Sequence, residues 1–113
     1  QSYERFWEGR TQWAALAASL RTLTRLSLSA FSGPRLNKVL AHLAAFPVAL
    51  KQHLRGARDL TELETIFNAF DDTCACDGTL QRITSANNMP LTLLTSLTLA
   101  ISPLGPQQLQ QQA

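Results

Sequence analysis

A chain of 113 residues is long enough for one small domain, and its 16% charged residues fall well below the roughly 25% of an average soluble domain, so part of its surface is not built for water. Charge changes sign along it: residues 1–58 hold nine Lys/Arg against Glu4 and Glu8 (net +7), residues 59–82 hold six Asp/Glu against Arg82 (net −5), and residues 83–113 hold none. Arginines spread over two amphipathic patterns, not clustered on one face, count against nucleic-acid binding, and two cysteines as close as Cys74 and Cys76 exclude a disulfide framework.

Periodicity predicts four helices and no strand. The first runs from about Tyr3 to Ser32, where Gly33-Pro34 stops it, because proline lacks a donor and restricts the residue before it. Trp13, Leu16, Ala17, Leu20 and Leu23 mark its apolar face. The small pairs Ala14/Ala18 and Ala15/Ser19, four apart, allow close approach of a neighbouring helix. The second covers about Leu36 to Leu54 and ends at Gly56. Its stripe is Leu36, Leu40, Leu43, Pro47, Leu50 and Leu54, and Pro47 predicts a kink or break. The third starts at Asp59, an N-cap with Glu62 in capping-box register, and continues through Leu60, Leu63, Phe67, Phe70 and Cys74. Asn87, Asn88 and Pro90 then punctuate the chain. The fourth, Leu91 to Ser102, is uncharged, rich in hydroxyls and shorter than the ~20 apolar residues a full span needs. Residues 1–104 therefore read as one helical domain, and 105–113 as a disordered Gln-rich tail.

Catalytic and metal chemistry find little support. The chain has no nucleophile elbow, no Gly-rich phosphate loop and no His-Glu-x-x-His. Cys74 and Cys76 lie beside Asp71, Asp72 and Asp77, but the histidines, His42 and His53, stand on another segment, and zinc wants a second pair at workable spacing. No enzyme, metal site or cofactor is expected. The helical stripes alone fit the core of a soluble bundle. Low charge and the 31 uncharged residues at the end turn the expectation toward an all-α, membrane-associated helical bundle. An upstream portion is also expected, since Gln1 opens without an initiator Met or a signal-peptide design.

Ser2-Tyr3-Glu4-Arg5-Phe6-Trp7-Glu8-Gly9-Arg10, followed by Trp13, resembles the Ser-Tyr-x-Arg-Trp-Trp-Glu-x-Arg signature of bestrophin-like proteins. The run Leu43 to Gly56, LAAFPVALKQHLRG, is similar to the "AFPxALxxHLRG" block of the family's bacterial and plant/algal branch. Cys76 to Ile83 and Asn87 to Pro90 resemble its "CERI" helix and "TPIP" turn in a degenerate form.

The resemblance implies a partial bestrophin-like protomer of a homopentameric, all-helical channel for chloride and other monovalent anions. It places the cytosolic-side aperture at Met89, with Pro90 behind it, an apolar ring that gates by size and dewetting. On the residues alone, Met89 reads equally as a hydrophobic anchor at a helix start. Arg10, Arg21 and Arg25 are candidates to draw anions into a vestibule, or form a solvated or ion-paired face. The chain departs from the family in several places. The upper neck would fall before Gln1, Asn87-Asn88 replace Thr-Pro, and the stretch from Arg58 to Phe70 is short. The alternative is therefore a non-conducting accessory or scaffold subunit packed among other membrane proteins. The membrane implied is the thylakoid for a plant or algal member and the inner membrane for a bacterial one.

Overall fold

The computed structural model describes residues 2–70 and 78–102, and these are all-α. The helices are α1 (Ser2–Ala30), α2 (Gly33–Arg55), α3 (Leu60–Phe70), α4 (Thr79–Ser85) and α5 (Met89–Ile101). Cys74, Cys76, Asp71, Asp72, Asp77 and the Gln-rich stretch 105–113 lie outside the described residues. Among the described residues, no helix is long and apolar enough to cross a membrane.

Gly33-Pro34 does more than end α1, because it also begins α2. Ser32 takes extended backbone as the N-cap, Gly33 turns the chain at φ 63°, and Pro34 sits in the first turn. There proline forfeits no helical hydrogen bond, and a positive φ suits glycine. Only Phe31 and Ser32 separate the two helices. Pro47 lies within α2, which runs on through it without a break. At the far end Gly56, at φ 68°, closes a Schellman turn: its amide donates to the His53 carbonyl (3.2 Å) and that of Ala57 to the Gln52 carbonyl (3.0 Å).

Asp59 caps α3 as expected, its Oδ1 accepting from the Glu62 amide at 3.1 Å. The other half of the capping box is replaced. Gln52, buried near the end of α2, accepts from the Asp59 amide through Oε1 (3.0 Å). Its Nε2 donates to the Asp59 carbonyl (3.2 Å) and to Glu62 Oε1 (2.9 Å). Glu62 is thereby turned to α2, where Lys51 Nζ pairs with its second oxygen at 3.2 Å. One glutamine side chain thus fixes the angle between α2 and α3.

Helix α2 is the hub, packing on α5, α3 and α1, while α4 bridges α3 and α5. Its innermost face is not the leucine stripe. Ala41, Ala45 and Ala49 are fully buried against Leu63 and Phe67 of α3, Leu80 and Ile83 of α4, and Met89 and Leu93 of α5. Leu36, Leu40 and Leu50 are only half-buried and Leu54 is exposed. The reason is steric: a helix with neighbours on several sides needs small residues where they come nearest, and the leucines fill the flanks. The small pairs of α1 do not play this part, since Ala14, Ala15, Ala18 and Ser19 are all exposed.

Candidate functional site

The carboxyl half of α1 rests on the bundle through Leu16, Ala17, Leu20 and Thr24, all half-buried, and the buried Ser27. From Tyr3 to Ala15 the helix is exposed apart from Gly9. Tyr3, Phe6, Trp7, Arg10 and Trp13 recur at helical spacing on one side of that stretch, and Tyr3 is 70% and Phe6 59% exposed. Trp7 meets Tyr3 and Phe6 edge-on at ring separations of 6.1 and 6.3 Å. The Arg10 guanidinium lies 5.8 Å from the Phe6 ring and 5.5 Å from the Trp7 ring, a cation–π arrangement that holds the charge against the helix.

Arg21 and Arg25, one helical turn apart, line a groove of about 580 Å³ between α1 and α2. Apart from Thr24, whose hydroxyl donates to the Leu20 carbonyl (2.7 Å), its other walls are apolar, with Leu20 and Leu28 from α1, Leu40, Leu43 and Pro47 from α2, and Phe70 from the end of α3. Of the α2 leucines, the half-buried Leu40 and the buried Leu43 reach this groove, while Leu36, Leu50 and Leu54 do not line it. Among the described residues Arg10, Arg21 and Arg25 take part in no ion pair. The structure therefore unites Arg21 and Arg25 in one feature and leaves Arg10 about 16 Å away along the helix axis.

Met89 and Pro90 open α5. Asn88 caps the helix, its Oδ1 accepting from the Leu91 amide at 3.1 Å, so the helix starts two residues before Leu91. The Met89 side chain is 1% exposed and packs in the core, and Pro90 is buried beside it. Leu91, 59% exposed, is the apolar side chain that this turn presents outward. With Leu94, Thr95, Thr98 and Ile101 it forms an uncharged outer face on α5. The hydroxyls on that face are turned back to the helix: Thr95 donates to the Leu91 carbonyl (3.2 Å) and Thr98 to the Leu94 carbonyl (2.9 Å). What faces outward is then largely methyl and methylene.

His42, which the sequence marks only as a histidine far from other metal ligands, is fully buried where three helices meet. Its Nδ1 lies 2.7 Å from the Lys38 carbonyl, and its ring stands edge-on to Phe67 of α3 at 5.3 Å. Its Nε2 lies 2.8 Å from Ser96 Oγ of α5. The signal for it was its spacing from Ala45 and Ala49 on the face of α2 that proved central. Among the described residues no three His, Cys, Asp or Glu side chains stand together as a metal site would require.

The sequence profile of the Bacterial/Fungal Bestrophin protein family matches residues 1–111. A voltage-dependent anion channel-forming protein of Nostoc sp. is 33% identical over 96 residues, covering 80% of this chain and 29% of the relative. A protein of the same description from Synechocystis sp. is 40% identical over 61 residues, 49% of this chain and 20% of its own length. The chain thus spans less than a third of the curated relatives it matches. No solved structure matches it.

Proposed function

The chain belongs to the bacterial/fungal bestrophin family, and from that membership we propose that it contributes to a membrane channel passing chloride or other monovalent anions, assembled from several copies, five by family resemblance. The observation that carries the reading is the exposed cationic side of α1. Arg10, Arg21 and Arg25 take part in no described ion pair, on a chain that is similar to two proteins named as anion channel-forming. Uncompensated guanidinium groups raise the local concentration of anions and repel cations. These relatives point to a channel rather than an enzyme.

In this reading the turn at Met89-Pro90 is the aperture element. Met89 packs inward in the single protomer, so Leu91 is the side chain this turn offers to a passage, with Met89 setting its position from behind. An apolar ring here gives an ion nothing in exchange for its hydration water.

The test is reconstitution of the full-length protein in planar bilayers under a potassium chloride gradient. A reversal potential close to that of chloride is expected, and a cation-selective current overturns the reading. Insertion without any current assigns the chain to the scaffold role instead.

A further inference from the structure

We propose that the groove between α1 and α2 is a binding site for a long-chain monocarboxylate, a free fatty-acid anion. Arg21 and Arg25 would hold the carboxylate, and the tail would lie along the leucine wall.

Two observations fix the chemistry. Arg21 and Arg25 stand four residues apart on one face of α1, a like-charge spacing that is unfavourable without a counter-charge, and neither takes part in an ion pair among the described residues. The site therefore calls for an anion. Guanidinium forks match a carboxylate in bidentate fashion.

The rest of the groove has no use for a small hydrated anion. Leu20, Leu28, Leu40, Leu43 and Pro47 supply an apolar surface continuous with the two charges. Such a surface gains when water is displaced by hydrocarbon. The volume of about 580 Å³ falls within the range of roughly 300–1,000 Å³ usual for small-molecule sites. An acidic head joined to a single apolar chain satisfies both parts at once. The proposal shares Arg21 and Arg25 with the conduction reading, but its test reads binding to the chain rather than current, so the two can fail separately.

The experiment titrates the full chain with dodecanoate, kept below its critical micelle concentration, by isothermal calorimetry at low salt. Saturable binding at one site is expected, with dodecan-1-ol at least tenfold weaker. An Arg21→Gln/Arg25→Gln double variant, whose exposed positions leave the fold intact by circular dichroism, is expected to bind dodecanoate at least tenfold more weakly. Ala44→Trp, which fills the groove from α2, is expected to abolish binding. No saturable binding overturns the proposal, as does equal affinity for the alcohol, or affinity undiminished in the arginine double variant. Binding to phosphatidylglycerol vesicles, with none to monomeric dodecanoate, overturns it in favour of a membrane-lipid contact.

Discussion

The Nε2 atom of His42 and the Oγ atom of Ser96, 54 positions apart in sequence, lie 2.8 Å apart and join α2 to α5. A carbonyl only accepts, so His42 Nδ1 carries the proton toward Lys38, and in the neutral ring Nε2 accepts from the Ser96 hydroxyl. This is a polar bond beside an otherwise apolar contact, where its partners have little water to fall back on.

Ser96→Ala is therefore expected to destabilise the fold by about 1–3 kcal/mol, because a buried ring nitrogen loses its hydrogen-bond partner on α5. The check is the urea midpoint of the variant against that of the parent chain. An unchanged midpoint would remove this bond from the stability of the bundle.

Acid is expected to loosen the join between α2 and α3. The Gln52 amide, and after it the Lys51 ammonium, hold the Glu62 carboxyl below its ordinary value. A carboxyl with a depressed folded value stabilises the fold above the ordinary glutamate range, and that contribution is lost as pH falls through the folded value. The melting temperature should thus drop between neutral pH and about pH 3–4, and Glu62→Gln should flatten part of that drop. Identical pH profiles for the two proteins would contradict the linkage.

Ala45→Leu is expected to be among the more damaging aliphatic changes. It adds three carbons where α2 meets its neighbours, at a position 0% exposed, and overpacking of that kind costs about 1–3 kcal/mol. Leu54→Ala, at a site 66% exposed, should stay within about 0.5 kcal/mol. Guanidinium unfolding of both variants decides the ranking, and the reverse order would restore the leucine stripe as the core face.

For conduction, Leu91→Ala is expected to raise single-channel conductance in the reconstituted full-length protein, because it removes bulk from the outward side of the α5 turn. Met89→Ala should change conductance or selectivity as well, and should also lower thermal stability, since that side chain is buried. Currents unaltered in both variants would take this turn out of the permeation path.

Much of the helical plan is legible in the sequence because its punctuation is local. Gly33, Gly56, Asp59 and Asn88 act on the backbone within four residues of themselves, and each marks a helix end. The core face of α2 is not legible in the same way. A hydrophobicity stripe ranks leucine above alanine, whereas a helix enclosed by several neighbours ranks by size, so Ala41, Ala45 and Ala49 displace Leu36, Leu50 and Leu54. Bonds such as Gln52 to Asp59 and His42 to Ser96 depend on tertiary placement, which residue spacing does not encode. Of the candidate site, the pairing of Arg21 with Arg25 follows from their spacing of four, while the groove they border requires α2 beside them.

The uncharged outer face of α5 has a consequence for how the molecule meets its surroundings. Salt at physiological strength screens charges over about 8 Å, so it modulates the arginine side of α1. On the α5 side there is no charge from Ile83 onward for it to act upon. The hydroxyls there are already committed to the helix backbone. The two surfaces thus answer to different variables, one to ionic strength and the other to the polarity of whatever lies against it. A change of electrolyte therefore acts on the charged surfaces, the arginine side of α1 and the Lys51–Glu62 pair among them, and finds no charge on α5 itself.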